Sequence, residues 1–582
     1  MPDQLSLAVD RNVPVPMRDG VVLSADIYRP AGPGPYPALL QRTPYDKGSL
    51  ALSMAITFIL RAASQGYAVV VQDVRGRFAS EGEFFAFVHE RQDGHDTLDW
   101  LAAQPWCDGN IGMFGGSYVG LTQWQAAFDG HPALKAIAPN ITASDYHNGW
   151  AYQGGAFELG FNLSWTLSVL APNTVLRARR EDPSVDATFQ ALLDGVDGMT
   201  AEFARLPLTD HAVLGKFAPY YDAWVNHPTY DDFWASLDVS TRYESLNVAA
   251  LNIGGWYDIF LDGTIENFAG MRERGPAAVR DRQRLLLGPW NHGGMSRGNP
   301  IGAYDFGVRS TGPLIDADGV QLAWFDRWLR GIDNGADRQA PVRLFVMGAN
   351  RWRDEQEWPL ARTDWQGWYL HSGGRANTLH GDGALSRESP GGEPPDTYVY
   401  NPRNPVPTIG GGLCCNNVFT NGGAYDQRPV EAREDVLVFS TPPLAEPVEV
   451  TGPVKLILHA SSSATDTDWT AKLVDVAPCG FARNLTDGIL RARYRNSMRE
   501  GTLIAPGEVI EYEVDLWATS NTFLAGHRIR LEVSSSNYPR FDRNPNTGEL
   551  PGRSAEMVSA LQTVFHSAEY PSRLVLPVIP GE

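Results

Sequence analysis

Short apolar runs of strand length recur through the first quarter of the chain, each followed by a stretch with helical spacing. Tyr36–Leu40 and Ala68–Gln72 read as strands, with helical stretches at 51–65 and 90–104. Asn110–Phe114 is the next strand. It passes through Gly115-Gly116-Ser117-Tyr118-Val119-Gly120 into an apolar helix, Leu121–Ala127, and Leu134–Ala138 follows as a further strand. This alternation predicts a mostly parallel sheet with helices on both faces. The same texture resumes at 247–288 with Val248–Ile253 and Arg284–Leu287.

Between these two blocks, roughly 144–240, the strand pattern is lost. The segment is helical in character and carries Trp150, Trp165, Trp224 and Trp234, with helix formers at 183–206. An insertion at this point is expected to lie above the carboxyl edge of the sheet as a cap, although tryptophans there also serve plain helix packing. From about 350 the pattern changes again. Runs such as Thr397–Tyr400, Val436–Phe439, Val454–His459, Thr470–Val476 and Arg528–Val533 are separated by Gly, Pro and Asn turns. Many short strands without intervening helices predict an antiparallel sandwich of jelly-roll type. The stretches 371–395 and 401–428 read as loops. The expected fold class is α/β: residues 1–143 plus 241–350 form a hydrolase-like α/β domain, 144–240 a helical cap, and 351–582 the β-sandwich.

At 582 residues the chain is too long for one core. Its 43% hydrophobic and 20% charged content suits a globular protein, and a net charge of −20 disfavours nucleic acid and anionic membranes as partners. The start lacks a basic segment followed by an apolar one, and the apolar stretch 51–63 is short and broken by Ser53, Thr57 and Arg61, so neither a secretory signal nor a membrane span is expected. Four cysteines, with Cys414 and Cys415 adjacent, make no disulfide framework, and no clustered histidine pair predicts zinc. A cytoplasmic setting is the simplest expectation, with no metal and no cofactor.

The chemistry centres on Ser117. A serine on a sharp strand-to-helix turn is lifted clear of the sheet, with a positive helix end beneath it. Val119 stands where a strict G-x-S-x-G would place glycine, and Gly120 comes one residue late. Serine needs an imidazole base and the base needs a carboxylate, in the order Ser, acid, His for this fold class. Val248–Ile253 runs into Gly254-Gly255-Trp256-Tyr257-Asp258, and Arg284–Leu287 runs into Gly288-Pro289-Trp290-Asn291-His292. Ser117, Asp258 and His292 therefore form a candidate triad at three strand ends. The backbone N–H of Tyr118 is the first candidate donor to an oxyanion.

The segments RTPYDK (42–47), VQDVRGRFASEGEF (71–84), GMFGGSYVGLTQWQAA (112–127), GGWYDIF (254–260), GPWNH (288–292), FDRWLRG (325–331), RLFVMG (343–348) and FLAGHRIRLEVSSSNYPRFDRNPNTG (523–548) resemble the bacterial cocaine esterase group, relatives of the α-amino acid ester hydrolases and Xaa-Pro dipeptidyl-peptidases. The resemblance covers nearly the whole chain, and G-x-S-Y-x-G is that family's own elbow. It implies that Tyr45, in the P-Y-D motif, donates its hydroxyl to the oxyanion. It also implies that Trp150, Trp165 and Phe260 wall the acyl pocket. Gly410–Cys415 falls where the family's third domain supplies an apolar loop, with Cys414 and Cys415 replacing larger hydrophobes. In the amino acid ester hydrolases acidic residues closely follow the catalytic aspartate; here Phe260 and Leu261 stand there.

The expectation is a serine carboxylesterase for apolar or aromatic acyl groups, acting through an acyl-enzyme on a small-molecule ester; a homodimer is a further association the sequence allows. An amide-cleaving acylase, a dipeptidyl-peptidase or an amino acid ester hydrolase is the alternative within the family. A carbohydrate-binding role for the sandwich is an alternative outside it.

Overall fold

The computed structural model describes residues 6–49, 56–209, 211–415 and 422–581. The first sheet holds β1 (Leu7–Pro16), β2 (Val22–Pro30), β3 (Tyr36–Thr43), β4 (Ala68–Asp73), β5 (Cys107–Gly116) and β6 (Leu134–Asn140). A two-residue hairpin follows, β7 (Tyr152–Gln153) with β8 (Ala156–Phe157). The sheet continues with β9 (Ala249–Tyr257), β10 (Gln283–Asn291), β11 (Val342–Val346) and β12 (Arg351–Glu355). Its order is β1-β2-β4-β3-β5-β6-β9-β10-β11-β12, parallel from β4 to β11 and antiparallel at both edges. β4 and β9 are buried along their whole length, as strands covered on both faces must be.

The helices α1 (Ile56–Ser64), α2 (Glu90–Ala102) and α3 (Tyr118–Ala127) fall in the predicted stretches. The first part of the expected 51–65 helix, residues 51–55, lies outside the described residues. Three details differ from expectation. The β1–β2 hairpin, with Val13 opposite Ala25 and Val15 opposite Leu23, extends the sheet at an edge where Pro14 and Pro16 are tolerated. The insertion is helical over Leu159–Trp165, Ala171–Glu181, Asp186–Asp197, Met199–Ala204 and Pro219–Asn226 but opens with the β7–β8 hairpin. The boundary drawn at 350 is five residues early, because β12 pairs antiparallel with β11 and keeps residues up to Glu355 in the α/β sheet.

Beyond β12 the chain is β-rich. Its long strands include Val448–Ser462, Asp468–Val476, Ala482–Arg491, Ile510–Phe523 and Arg528–Ser534, paired antiparallel. The insertion packs on both parts. Its apolar residues join one face of the α/β sheet in a single cluster that holds Trp150, Trp165, Trp224, Trp234 and Phe260. Toward the β-rich part it makes backbone bonds: Arg491 N–H to Gly154 O at 2.8 Å, Asp542 N–H to Phe157 O at 2.9 Å and Gly160 N–H to Arg540 O at 3.1 Å. The fully buried Arg540 guanidinium clasps Asp487 at 2.6 Å and reaches Glu158 at 3.5 Å and Gln153 at 3.0 Å. Among the described residues no helix is long and apolar enough to cross a membrane.

Candidate active site

Parallel register brings the three strand ends together. Gly116 of β5 lies opposite Asn140 of β6, Asn140 opposite Ile253 of β9, and Tyr257 of β9 opposite Asn291 of β10. The residues that follow these strands, Ser117, Asp258 and His292, therefore emerge along one edge of the sheet.

Ser117 has φ 61° and ψ −127°, outside the regions a side-chain-bearing residue prefers, and α3 starts on the next residue. The elbow needs its glycines for definite reasons. A Cβ on Gly115 would meet Val119 Cγ1 at 2.4 Å, and one on Gly120 would meet Thr142 Cβ at 2.7 Å. The displaced glycine thus answers a displaced contact: Val119 fills the space that Gly115 leaves, while Gly120 lets α3 approach the loop after β6. The Tyr118 side chain points away from the site. Its hydroxyl donates to Glu90 Oε1 at 2.8 Å and accepts from Phe87 N–H at 2.9 Å, and Glu90 pairs with the buried Arg42 at 2.9 Å. Only the Tyr118 backbone N–H, at the first turn of α3 where no intrahelical acceptor exists, is left for the site.

Asp258 is buried, and its two oxygens are both engaged. Oδ2 bonds His292 Nδ1 at 2.7 Å, and Oδ1 accepts from Phe260 N–H at 2.8 Å. This fixes the imidazole with its proton on Nδ1 and a lone pair on Nε2. The Phe260 ring meets the His292 ring edge-on, with centroids 5.4 Å apart. Among the described residues none of the hydrogen bonds of Ser117 reaches His292; its hydroxyl lies against Tyr45 instead. Resting hydrolases commonly tighten the nucleophile–base bond only with substrate in place.

The Tyr45 hydroxyl meets the Ser117 hydroxyl, the Trp165 indole and the Tyr118 backbone N–H. Burial, partly offset by these donors, pushes its phenol up to about 12, so it stays protonated and able to donate. A residue that sequence reasoning missed holds it there. Arg77, fully buried, donates from Nε to Pro44 O at 2.9 Å and from Nη1 to Leu170 O at 2.7 Å, tying the Tyr45 turn to the insertion. Burial lowers its guanidinium to about 10. The signal was present in the VRGR segment at 74–77, but nothing local says where a side chain of that reach will land.

The aromatic residues form a continuous wall. Trp150 stacks on Phe260 at 4.2 Å between centroids, and Trp165 lies 5.6 Å from Trp150 and 6.2 Å from Tyr118. Cys414 is buried in the same cluster, whereas Cys415 is exposed. The pair is bonded to itself as a disulfide, a pairing the sequence left open; Cys107 and Cys479 are free. The Cys415 backbone lies in the left-handed region at φ 66°. Their loop abuts the acid, since a Cβ on Gly412 would stand 3.1 Å from Asp258 O.

A profile of the X-Pro dipeptidyl-peptidase (S15) family matches residues 19–294, and one of the X-Pro dipeptidyl-peptidase C-terminal non-catalytic domain matches 334–575. Cocaine esterase of Rhodococcus sp. (strain MB1 Bresler) is 45% identical over 98% of this chain and 99% of its own. An α-amino acid ester hydrolase structure superposes with a TM-score of 0.82 at 28% identity, covering 98% of this chain and 96% of that one. An aminopeptidase from the marine sediment archaeon Thaumarchaeota archaeon gives 0.81 at 27%, covering 100% and 99%.

Proposed function

The chain belongs to the hydrolase family that holds cocaine esterase, the α-amino acid ester hydrolases and the X-Pro dipeptidyl-peptidases, and from its membership as a serine hydrolase of ester bonds we propose the following mechanism and specificity. Ser117 Oγ attacks the ester carbonyl while His292 Nε2 takes its proton. Asp258 holds the imidazole tautomer and stabilises the imidazolium. The Tyr45 hydroxyl and Tyr118 N–H receive the oxyanion. His292 then protonates the leaving alcohol, and water returns the acyl-enzyme to the free serine. The observation that carries this reading is the 2.7 Å Asp258–His292 bond at the sheet edge that also presents the Ser117 elbow and the protonated Tyr45.

The acyl group it favours is apolar or aromatic. Trp150, Trp165, Phe260 and Cys414 give one side of the site no charge. The first carboxylate after Asp258 is Asp262, and burial, then the neighbouring Asp515 and Glu266, push it well above the usual carboxylate range. A carboxyl shifted toward its protonated form is a poor counter-charge for an ammonium. The insertion acts as a cap over this wall, and the C-terminal part, a jelly roll in this reading, lends it the 410–415 loop. That contact with Asp258 favours an integral role for the C-terminal part over a separate carbohydrate-binding one.

The test is kcat/KM for a phenylacetyl ester against its α-amino analogue, with the matched amides alongside. Stripping water from an unpaired ammonium costs several kcal/mol, so discrimination should exceed the roughly 10–200-fold scale of one methylene. Equal values, or preference for the amino ester, would move the chain to the amino acid ester hydrolases; faster amide turnover would favour the peptidase reading.

A further inference from the structure

Cys414, Cys415 and His292 each bring a ligand atom to one place, all within 4.8 Å of one another. The ester mechanism uses neither sulfur. The loop that carries them is held at both ends: Gly411 and Gly423 exchange backbone bonds of 2.8 and 2.9 Å, and Asn291 Nδ2, beside the histidine, donates to Gly422 O at 2.6 Å. The histidine is prepared for a cation, because Asp258 on Nδ1 leaves the Nε2 lone pair free, the arrangement of a metal-bound imidazole backed by a carboxylate. The sulfurs as bonded here are not, since a disulfide carries no thiolate.

A second group, His95, Asp99 and His131, is equally close-set but fails this test. Ala133 N–H donates to His131 Nδ1 at 3.1 Å, so the ring proton sits on Nε2 and faces Asp99 at 3.0 Å. No lone pair is left there.

We propose that reduction of the Cys414–Cys415 bond opens a site for a zinc-class divalent cation on Cys414 Sγ, Cys415 Sγ and His292 Nε2, and that the bound cation stops ester hydrolysis. Two small thiols supply the reduction: their sulfurs join as a new disulfide, two electrons enter the Cys414–Cys415 bond, and each freed sulfur takes one proton. The cation then displaces those two protons. Two thiolates and one imidazole are a donor set that zinc and cadmium prefer, with a fourth position left to water. The inhibitory part rests on His292 being the base, because a cation on Nε2 occupies the lone pair that must accept the Ser117 proton. The disulfide keeps the base free, so activity would report the thiol state whenever such a cation is present.

The experiment uses the full chain with Cys479→Ser, which removes the other exposed thiol. It is reduced with a phosphine, freed of reductant and titrated with Cd²⁺ by equilibrium dialysis and by cadmium–thiolate charge-transfer absorbance. Adding Ser117→Ala gives a protein that reads binding alone. One cadmium should bind per reduced chain. Binding should weaken by about tenfold or more in Cys415→Ser, in His292→Ala and in the oxidised protein, since loss of a ligand costs at least as much as loss of its supporting partner. Cys415 is exposed, so its substitution spares the fold; melting curves check each variant, and Cys415→Ala serves as the second substitution. In the active chain, turnover should fall with the cadmium-bound fraction and return with a chelator. Equal binding before and after reduction, or in Cys415→Ser, overturns the site, and full turnover with cadmium bound overturns the inhibition. Failure of the base assignment shows separately, as near-normal turnover by metal-free His292→Ala.

Discussion

Tyr45→Phe separates chemistry from folding more cleanly than any other single change here. The substitution removes one oxygen and leaves the ring. In the resting site that oxygen touches Ser117, the Trp165 indole and the Tyr118 N–H, so its loss leaves Tyr118 as the only donor of the proposed pair. Losing one of two preorganised donors costs about 10²–10³ in kcat, roughly 2.7–4 kcal/mol of transition-state stabilisation. KM should change little, because the ground-state carbonyl bears less charge than the oxyanion. The effect on folding is of a different size. One hydrogen bond contributes about 0.5–1.5 kcal/mol net, and in a chain this long that moves Tm by no more than a few degrees. The wild-type pH profile supplies an internal control. With the phenol held near 12, kcat should show no loss from Tyr45 ionisation around pH 10, where an ordinary tyrosine titrates. Steady-state kinetics on an aryl ester, alongside calorimetry of both proteins, make the measurement. A variant that keeps more than about a tenth of kcat while losing several degrees of Tm would show that Tyr45 is structural and that the donor pair is wrongly drawn.

Ser117→Ala should retain less than about a thousandth of kcat and lose any acyl-enzyme burst, with its melting temperature close to wild type; residual activity above that level would sink the nucleophile assignment. Asp258→Asn should lower kcat by about 10⁴ by favouring the wrong imidazole tautomer, and a loss under tenfold would count against it. His147 provides a pH test of the insertion. Burial drives its imidazole down to about 4, against about 6.5 when unfolded, so the stability it contributes is complete above about 6.5 and is lost as pH falls toward 4, by up to about 3 kcal/mol. His147→Gln should flatten that acid limb in a plot of Tm against pH, and an unchanged slope would refute the attribution.

The parallel strands were legible because strands covered on both faces read as unbroken apolar runs, although β5, β9 and β10 continue to Gly116, Tyr257 and Asn291, past the apolar runs and through the glycines that read as loop. That sufficed to predict that Ser117, Asp258 and His292 share an edge. Tyr45 was different: its place came from a resemblance, since a tyrosine after a proline turn has no pattern of its own. The β1–β2 hairpin was obscured by Pro14 and Pro16, which read as breakers yet are harmless on an edge. The reason for Gly120 lies in Thr142, a neighbour in space that the elbow motif does not contain. Arg77, Arg540 and the Cys414–Cys415 bond were not foreseen. Long-range polar pairs leave no periodicity, and adjacent cysteines alone do not say which redox form the chain adopts.

The clasp between insertion and β-rich part has a consequence for how the protein is made. Arg540 and Glu158 are 382 residues apart, so at about 5–20 residues per second a ribosome delivers the guanidinium roughly 20–80 s after the carboxylate it must meet. Once β12 has emerged, in the later part of that interval, the catalytic sheet can already be complete, while the face of the insertion that Arg491, Arg540 and Asp542 will cover stays bare. The nascent chain is therefore most exposed to misassembly late in its synthesis, and slowing initiation or lowering the growth temperature should raise the yield of active enzyme more than strengthening the α/β core would.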